Sequence, residues 1–490
     1  MPPFLVGAGL CFMDMGSQPD RKLRIAGDLV ETGSWIEVTN PYDNSAIARV
    51  PAADAALVNQ AIASAKSALE RADWPQWQRA DALDRAAVLL QERAAAFGQT
   101  IALEAGKPLK QASVEAERAV GTLRFSADEA RRLAGEMVPM EGGPAGAGKL
   151  GFVLRVPVGV VGAISPFNFP LNLVAHKLGP ALAAGCPIVL KPASATPLSA
   201  IDLVELLIEA GVPADYLHVV AGPGAQTGDP LVDSEDIAAI SFTGSVPVGW
   251  GIRSRAPKKR VMLELGSNAP LIVNSDGDWQ TAADKASIHG YSHAGQSCIS
   301  TQRLILHEDI ADEFVARFTE KVAALKVGDP LDPTTDVGPL IDSGECARVK
   351  DWIDAAQAGG AQILVGGDLN ADGTLQPTIL DGGSDTDEVW AGEAFGPLTV
   401  IRRFNDFAEA VELANASAYG LQAGVFTADI GTALEAARKL EYGGVLINEV
   451  PTFRTDQQPY GGVKDSGNTK EGPHYSVREF TEERLITLQP

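Results

Sequence analysis

The sequence predicts an α/β protein composed of two α/β domains in series, and three observations support this prediction. The chain has 490 residues, more than one ordinary domain holds, and 45% of them are hydrophobic, as in globular proteins. Short apolar segments alternate with helical segments from residue 159 to 255, and a second alternation begins near Pro270. Such alternation is typical of βα units on a parallel sheet, whose strands are buried on both faces.

Helices are expected to dominate residues 51–138, where the alanine-rich stretches Ala55–Glu70 and Ala80–Thr100 carry apolar residues at helical spacing. A glycine-rich break follows at Gly142–Lys149, and the first alternation starts after it. Its predicted strands are Gly159–Ile164, Pro187–Leu190, Leu217–Val220 and Ile237–Phe242. Its predicted helices are Asn172–Ala184, Leu198–Ala210 and Val246–Arg255.

The second alternation has the same character and predicts a second sheet flanked by helices. Its predicted strands are Leu271–Val273, Arg303–Leu306, Ile363–Val365, Leu398–Ile401, Ala423–Phe426 and Val445–Ile447. Its predicted helices are Asp278–His293, Ile310–Ala324, Cys346–Ala358, Phe407–Ala414 and Ile430–Leu440.

The charge of the chain excludes some classes of partner. Lys and Arg total 40 against 63 Asp and Glu, which gives a formal net charge of −23 and a pI near 4.7. This excess argues against nucleic acid or an anionic membrane as the main partner. No run of ~18 apolar residues exists, so no membrane-spanning helix is predicted. Residues 1–20 are expected to be a loose N-terminal extension without a signal peptide, because no basic residue precedes their apolar part.

The cysteines and histidines narrow the chemistry. Cys11, Cys186, Cys298 and Cys346 are far apart and form no CxxC pair, which fits a reducing compartment and predicts a cytoplasmic protein. The six histidines show no HExxH spacing, so no metal site is predicted. Gly143–Lys149 nearly spells a phosphate-binding loop, but Leu150 stands where a magnesium-binding Ser or Thr is required.

A GxxxxG turn runs from Gly244 to Gly249, between the strand that ends at Phe242 and the following helix. Such a turn presents backbone N–H groups and a helix N-terminus at the carboxyl edge of the sheet, where a dinucleotide pyrophosphate can bind. A plain strand-to-helix turn fits the same residues equally well.

Three side chains have the chemistry of an acyl-transfer site. Cys298 has small neighbours that allow approach to a nucleophilic thiolate, although most single cysteines are buried packing residues. Glu264 lies among apolar residues that would raise its pKa toward that of a general base, unless it points to water at a strand end. Asn168, between aromatic and proline residues, is a rigid amide donor for an oxyanion, or an ordinary turn residue.

Seven motifs taken together resemble the aldehyde dehydrogenase superfamily, in the branch that uses NAD or NADP without phosphorylation. They occur in family order and spacing over roughly residues 20 to 490, so the match is specific although each motif alone is weak. The motifs are Pro166–Pro170, Lys191–Ala193, Phe242–Ser245, Leu263–Gly266, Gly295–Cys298, Glu393–Pro397 and Pro459–Lys464.

The resemblance implies an aldehyde oxidation that proceeds through a covalent thioester. Cys298 is implied to be the nucleophile that forms a thiohemiacetal, with the Asn168 amide holding the oxyanion. Hydride transfer to the nicotinamide gives the thioester, and Glu264 activates the water that hydrolyses it. A thiolate both adds to a carbonyl and leaves readily, which explains these residue types. The implied catalytic set is Cys298, Glu264, Asn168 and Lys191.

The resemblance also implies a cofactor site. Lys191 and Glu393 match contacts to the ribose hydroxyls, Phe395 matches the aromatic residue beside the nicotinamide, and the turn at Gly244 matches the pyrophosphate site. The implied cofactor-binding residues are Phe167, Lys191, Ser194, Gly224, Gly228, Phe242, Thr243, Gly244, Ser245, Gly249, Glu264, Leu265, Gly266, Glu393 and Phe395.

The implied architecture has a Rossmann-like cofactor domain, an α/β catalytic domain and a β arm that joins subunits into a homodimer or homotetramer. The cofactor domain is expected to comprise residues 21–138 and 158–263, the oligomerisation arm residues 139–157 and 470–490, and the catalytic domain residues 264–469.

Two positions depart from the family pattern. Ser194 stands where a Glu usually binds the adenosine ribose 2′-hydroxyl and repels a 2′-phosphate, so we expect NADP to be accepted, alongside or in place of NAD. Ser267 stands where a second Gly usually follows Leu265-Gly266. Its Cβ restricts either backbone motion or cofactor position, and the sequence leaves both readings open.

The segment 451–465 indicates the class of aldehyde that the protein accepts. Residues 451–465 look most like the lactaldehyde and non-phosphorylating glyceraldehyde-3-phosphate branch, in which an Arg at the position of Arg454 lies near the substrate mouth. Ser297 replaces the second Arg that often precedes the nucleophile in enzymes for anionic aldehydes. A small hydroxylated or singly anionic aldehyde, contacted by Asn168, Ser297 and Arg454, is therefore expected. The alternative for Arg454 is a surface ion pair with Asp456 or another acid.

Two other functions compete with this reading. A CoA-acylating semialdehyde dehydrogenase is the nearer one, but relatives of that kind lack the carboxylate found here at Glu264. A catalytically silent structural relative is the other, and such relatives tend to lose the Cys or the Glu, both of which are present.

Overall fold

This computed structural model describes residues 18–489 of the chain. The expected N-terminal extension, residues 1–20, lies outside the described residues except for its last three positions. The strands are β1 (Leu23–Ile25), β2 (Asp28–Val30), β3 (Trp35–Thr39), β4 (Ala46–Pro51), β5 (Met137–Val138), β6 (Leu150–Pro157), β7 (Val160–Ile164), β8 (Ile188–Lys191), β9 (Leu217–Val219), β10 (Ile237–Thr243), β11 (Arg260–Glu264), β12 (Pro270–Val273), β13 (Arg303–His307), β14 (Gln362–Val365), β15 (Thr378–Asp381), β16 (Leu398–Phe404), β17 (Gln422–Phe426), β18 (Gly444–Ile447) and β19 (Thr481–Leu488).

The helices alternate with these strands over most of the chain. They are α1 (Ala55–Arg71), α2 (Gln76–Glu92), α3 (Ala94–Ala105), α4 (Leu109–Arg132), α5 (Asn172–Ala184), α6 (Leu198–Glu209), α7 (Asp229–Asp233), α8 (Val246–Arg255), α9 (Trp279–His289), α10 (Glu308–Ala323), α11 (Ser343–Ala358), α12 (Glu388–Ala391), α13 (Phe407–Asn415), α14 (Ile430–Lys439) and α15 (Pro473–Glu479). Short 3₁₀ turns span Met140–Gly142, Pro144–Gly146, Ser292–Gly295 and Lys464–Ser466, and a π turn spans Gly224–Gly228.

The first sheet has five parallel strands in the order β11-β10-β7-β8-β9. Its first strand in the chain, β7, lies at the centre, as in a Rossmann-like sheet, and β7 and β8 are buried along their whole length. The strand order reverses between β7 and β10. Ligands of open α/β sheets bind outside the carboxyl ends of the strands at such a reversal.

The second sheet has seven strands in the order β14-β15-β16-β13-β12-β17-β18, and all neighbours are parallel except β14 and β15. A third sheet is a small antiparallel arm, in which β6 pairs along its full length with β19 and also pairs with β5. The α/β fold class, with two parallel sheets in series and a β arm, is confirmed.

Several elements differ from the sequence predictions in a way that has a physical reason. The stretch Ala80–Thr100 forms two helices, because the chain breaks at Arg93, where φ is −106° and ψ is 8°. The helix predicted over Asp278–His293 ends at His289, since His293 and Ala294 adopt left-handed backbone angles. No strand was expected before residue 51, yet β1 pairs with β2 and β3 with β4, in short hairpins whose half-exposed residues carry little apolar periodicity.

Two hydrophobic cores follow the two parallel sheets. One contains buried residues between Leu23 and Leu265 together with Val477 and Phe480, and the other contains residues between Leu271 and Val450. Helix α15 packs against α4 and α5, so within the C-terminal segment only β19 belongs to the arm sheet. Among residues 18–489, no helix combines the length and apolarity needed to cross a membrane.

Candidate active site

The carboxyl ends of the first sheet's strands bring four predicted site segments to one edge. The loop with Phe167 and Asn168 follows β7, while Lys191 ends β8, Thr243 ends β10 and Glu264 ends β11. Parallel pairing holds these strand ends in register, with Ile164 beside Lys191 and Thr243 beside Glu264. The second core supplies the facing residues, so the site lies where the two cores meet.

Cys298 lies in a tight loop between α9 and β13. His293, Ala294 and Gly295 have φ values of 50°, 54° and 71° in succession, which turns the chain sharply before the cysteine. A Cβ at Gly295 would lie 2.0 Å from the carbonyl oxygen of Gly396, so no side chain fits there. The loop is therefore pressed against the Glu393–Pro397 segment, and the position of the thiol is fixed by the backbone.

The thiol of Cys298 contacts the hydroxyl of Tyr460, with 2.8 Å between Sγ and Oη. Ile299, Leu421 and Tyr460 form a small buried apolar cluster against which Cys298 packs. Burial raises the pKa of Cys298 to about 12, and the Tyr460 hydrogen bond opposes that rise. Cys298 as a whole residue is of intermediate exposure, in contrast to the buried Cys186 and Cys346.

Glu264 is buried, with 5% of its surface exposed, and neither carboxylate oxygen has a hydrogen-bond partner. Burial, and then the neighbouring charge of Glu471, raise the pKa of Glu264 well above its ordinary value. The alternative of a strand-end carboxylate pointing to water is thus wrong. A Cβ at Gly461, where φ is 159°, would lie 2.7 Å from Oε1 of Glu264, so glycine leaves room for the carboxylate.

The Asn168 side chain reaches the nucleophile loop. Its Nδ2 donates a hydrogen bond to the carbonyl of Gln296 at 2.9 Å, two residues before Cys298. One N–H of the amide is engaged in this bond, and the second is available to an oxygen on the substrate. Ser297, also expected to contact substrate, is buried beside Cys298 with 9% exposure.

Arg454 lies in the interior and not on a surface loop, since only 7% of its side chain is exposed. Its Nη2 donates to Oε1 of Glu471 at 2.7 Å, and its guanidinium stacks 3.8 Å from the ring centre of Tyr460. Burial is the largest influence and would raise the pKa of Glu471, but the charges of Arg454, His176 and Lys177 together outweigh it and lower the pKa to about 2. The Nε of Arg454 is buried without a partner, so a cationic donor remains free for an acceptor.

Asp456, the acid that the alternative reading paired with Arg454, is bound by other residues. Arg118 donates to its Oδ1 at 2.8 Å, and Nε2 of His176 lies 3.1 Å from the same oxygen. Arg118 therefore anchors the loop that carries Arg454, and adds a second cation, with 28% of its side chain exposed, at the same end of the site.

Four residues of this cluster were missed by the sequence reasoning: Lys177, Glu471, Arg118 and, as a functional residue, Tyr460. Lys177 donates to Oγ1 of Thr243 at 2.6 Å and lies 3.9 Å from Glu471. A usable signal was present for Lys177, because His176 and Lys177 interrupt a helix whose other residues are nearly all apolar. Glu471 gave no such signal, since its partners are distant in sequence.

The predicted cofactor residues line the edge of the first sheet. The turn at Gly244 precedes α8, and Ser245 at the start of this helix is exposed. Behind it, Gly249 packs on Leu265, and Gly244 packs on the ring of Phe242. Gly228, at the end of the π turn that begins at Gly224, lies beside the Lys191 side chain, while Ser194 Oγ donates to the Gly222 carbonyl at 3.0 Å.

Two of the remaining predicted cofactor residues, Glu393 and Phe395, flank Ala394 of the second core. Glu393 Oε1 accepts a hydrogen bond from the backbone N–H of Ser267 at 2.9 Å, and burial raises the pKa of Glu393 to about 7. A Cβ at Gly266 would lie 2.0 Å from the other oxygen of Glu393. Phe395 and Phe167 meet edge to face, with ring centres 5.7 Å apart. The hydroxyl of Ser267 is buried without a partner.

This arrangement fits a dinucleotide. Exposed backbone N–H groups at the start of α8 can hold a pyrophosphate. The Lys191 ammonium has only a 3.3 Å contact with its neighbour's carbonyl, so it retains donors for ribose hydroxyls. Burial lowers the pKa of Lys191, which is consistent with a cation lacking an acidic partner.

Comparison with known proteins agrees with these observations. The model for the Aldehyde dehydrogenase family matches residues 30–486 of the chain. A 3-sulfolactaldehyde dehydrogenase of Priestia aryabhattai is 45% identical over 467 residues, which cover 95% of this chain and 97% of that protein.

Two solved structures are similar along nearly the whole length. Aldehyde dehydrogenase 21 of Physcomitrella patens, in complex with the reaction product succinate, has a TM-score of 0.93 and 37% identity, covering 96% of this chain and 98% of that one. A glyceraldehyde-3-phosphate dehydrogenase of Methanocaldococcus jannaschii, complexed with NADP, has a TM-score of 0.90 and 37% identity, covering 94% and 100%.

Proposed function

The chain belongs to the aldehyde dehydrogenase family, and from that premise we propose that it oxidises a small hydroxylated or singly anionic aldehyde through Cys298. The protein is an NAD(P)-dependent oxidoreductase that converts an aldehyde to the carboxylic acid. The single observation that supports the assignment of residues is that the buried, unpartnered carboxylate of Glu264 lies close enough to Cys298 for its charge to raise the pKa of the thiol.

The proposed reaction uses these groups in turn. The Cys298 thiolate adds to the aldehyde carbon, and the carbonyl π electrons move to oxygen, where an Asn168 N–H and the backbone N–H of Cys298 stabilise them. Lys191, Glu393 and Phe395 would hold NAD(P), which would supply the hydride acceptor. As the oxyanion collapses, the C–H bond of the former aldehyde carbon breaks and the carbon–sulfur adduct becomes a thioester. Glu264 then takes a proton from water, the resulting hydroxide adds to the thioester, and the thiolate departs from the acid product.

The raised pKa of Glu264 suits that role. A carboxylate with an ordinary pKa is a weak base, whereas one whose pKa lies nearer the working pH takes a proton from water more readily. The unpartnered oxygens leave both of its acceptor positions open to that water. The same carboxylate argues against the CoA-acylating alternative, in which a thiol replaces water.

The substrate is proposed to present an anionic or hydroxylated end to Arg454. The unpartnered Nε of this buried guanidinium is a donor for a carboxylate, sulfonate or hydroxyl oxygen, and Arg118 lies nearby as a second cation. Relatives whose names specify sulfolactaldehyde, and one bound to succinate, are consistent with a short aldehyde bearing one anionic group. Ser297 supplies no second cation beside the nucleophile.

Three further proposals complete the picture. Ser194 directs its hydroxyl to the Gly222 carbonyl and places no carboxylate near the adenosine ribose, so NADP is accepted.

The arm sheet joins subunits into a homodimer or homotetramer, because it exposes a group of large apolar side chains. These residues, each 45–64% exposed, are Met137, Leu150, Leu154, Leu485 and Leu488. The working compartment is the cytoplasm, where the thiol of Cys298 stays reduced.

The experiment is a fluorescence assay of reduced cofactor with lactaldehyde, 3-sulfolactaldehyde, succinic semialdehyde, glyceraldehyde 3-phosphate and a neutral aliphatic aldehyde. We expect turnover with at least one of the hydroxylated or singly anionic compounds, no dependence on CoA, and a loss of on the order of 10³-fold or more in Cys298→Ser. Cys346→Ser, at a buried cysteine of the second core, is the matched control and should retain activity. An active Cys298→Ser protein would refute the assignment.

A further inference from the structure

The hydroxyl of Tyr460 is placed as a partner for the reactive sulfur and for nothing else. Its single hydrogen bond among the described residues is the 2.8 Å contact with Cys298 Sγ, and Tyr460 is 3% exposed. A buried hydroxyl normally binds a backbone carbonyl or another polar group. Here the hydroxyl of Tyr460 faces the thiol of Cys298. A neutral thiol is a poor hydrogen-bond acceptor, whereas a thiolate is a strong one.

The ring of Tyr460 is held on three sides. Its backbone exchanges hydrogen bonds with Glu471, the Arg454 guanidinium covers one face at 3.8 Å, and Ile299 and Leu421 pack around it. Arg454 is in turn fixed by its ion pair with Glu471. The hydroxyl is therefore held in place by the same buried ion pair that borders the substrate site.

The proton of this pair stays on the phenol. Burial, and then the adjacent thiol, raise the pKa of Tyr460 well above its ordinary value, so the hydroxyl remains protonated when the sulfur is ionised. The cation over the ring face draws electron density from the phenol and makes its O–H a better donor.

We propose that the Tyr460 hydroxyl is a hydrogen-bond donor that stabilises the thiolate of Cys298, a role that rests on Cys298 being the nucleophile. When the carbon–sulfur bond forms, a sulfur lone pair becomes that bond and the negative charge moves to the carbonyl oxygen. The Tyr460 hydrogen bond to sulfur then weakens, and the phenol keeps its proton throughout. Tyr460 thus favours the ionised nucleophile without taking part in proton transfer.

The test measures the ionisation of Cys298 directly, without aldehyde or cofactor. The rate at which iodoacetamide alkylates Cys298 is followed from pH 6 to 11 in the full-length protein and in Tyr460→Phe, which removes only the hydroxyl. Because the pKa of Cys298 is raised to about 12, the sulfur stays mostly protonated over this range and the rate should rise about tenfold per pH unit. Losing a hydrogen bond to a charged group should raise that pKa by about a further 1–2 units, which slows alkylation at every pH of the range. At pH 7 the alkylation should slow by about 3- to 10-fold, since a more basic sulfur is intrinsically more nucleophilic and offsets part of the loss.

The matched control is Tyr216→Phe, which removes another buried hydroxyl, one that donates to the carbonyl of Ala68 in the first core. Its alkylation profile should coincide with that of the unmodified protein. Cofactor binding by fluorescence establishes that each variant keeps its site. With aldehyde and cofactor at pH 7, the initial burst of reduced cofactor should slow in Tyr460→Phe and not in Tyr216→Phe.

The outcomes separate this role from the proposed function. An unchanged rate of Cys298 alkylation in Tyr460→Phe, in a protein whose Cys298→Ser variant is inactive, would overturn the role of Tyr460 alone. Continued aldehyde turnover by Cys298→Ser would overturn both. Slower alkylation of Cys298 with a slower burst supports the thiolate donor, because a tyrosine that only packed would be replaced by Phe without changing either rate.

Discussion

The side of the site that we propose binds the cofactor and the side that we propose binds the substrate contain different kinds of binding group. On the cofactor side, strand ends of one sheet present glycine turns, an exposed helix N-terminus and one lysine with a weak partner. On the substrate side, Glu264, Arg454, Glu471 and Lys177 form a buried ionic cluster with side chains 7% exposed or less. The first side offers mainly backbone donors, and the second offers desolvated charges.

This difference predicts which property of the protein a substitution on each side should change. Backbone donors at a turn survive most changes of neighbouring side chains, whereas a buried charge depends on each of its partners. Substitutions on the cofactor side should therefore alter which dinucleotide binds, while those on the substrate side should alter chemistry and stability together.

The largest expected effect is a loss of steady-state turnover when Glu264, in the buried ionic cluster, is replaced. Glu264→Gln should lower steady-state turnover by about 10²- to 10⁴-fold, because the base for water attack is lost, while the burst of reduced cofactor persists. Rapid mixing measures the burst and the steady state in one trace. The pKa of Glu264 is raised, and the group acts as base only when deprotonated, so turnover of the unmodified protein should rise with pH through that ionisation. Loss of the burst would assign Glu264 a role in activating Cys298.

The next effect concerns Arg454, and a double substitution is needed to read it. Arg454→Ala alone leaves Glu471 buried without its cation, which should destabilise the protein by about 3–5 kcal/mol in urea unfolding. Arg454→Ala combined with Glu471→Gln removes both charges and should recover most of that stability. In the double variant kcat/KM should fall by about 10- to 100-fold more for anionic aldehydes than for a neutral one, whose smaller loss reflects the support that Arg454 gives to Tyr460.

The matched comparison for that experiment is Glu471→Gln with Arg454 intact. It keeps the guanidinium, so anionic aldehydes should remain favoured over the neutral one. An equal loss for charged and neutral substrates in the double variant would mean that Arg454 supports the loop and contacts no anion.

The smallest expected effect is a change of cofactor preference at Ser194. Ser194→Glu places a carboxylate near the adenosine ribose, where it repels a 2′-phosphate, so kcat/KM with NADP should fall about tenfold while that with NAD is kept or improved. Steady-state kinetics with both cofactors measures the ratio. Ser194→Gln, of similar size without charge, is the control, and an equal loss with both cofactors in Ser194→Glu would show that position 194 does not select the cofactor.

Sequence reasoning was more successful on the cofactor side for the same physical reason. Helices Asn172–Ala184 and Val246–Arg255 have the predicted bounds, and the alternation that predicts the parallel sheet also predicts where its carboxyl ends lie. The partner of a buried charge is chosen by the folded chain. Arg454 and Glu471 lie 17 residues apart, and Lys177 is far from both, so no local pattern joins them.

The short N-terminal hairpins show the other limit. Strands β1 to β4 are three to six residues long, and most of β2 and β3 is exposed or half-exposed, so neither alternation nor a long apolar run marks them. The loop that carries Cys298 was recognised by its motif, but its left-handed turn at His293 and Ala294 could not be, because non-glycine residues adopt that conformation rarely and alanine is not among the types enriched in it.

The close approach of backbone at Gly295 and Gly461 has a consequence for laboratory evolution of this enzyme. A methyl group would overlap the Gly396 carbonyl at Gly295, and the Thr469 carbonyl and the Glu264 carboxylate at Gly461, so libraries that randomise these glycines should return almost only inactive clones. Randomisation is better directed at Phe453, which is 44% exposed. The backbone around Gly295 and Gly461, which positions Cys298 and Glu264, can then stay constant while the range of accepted aldehydes changes.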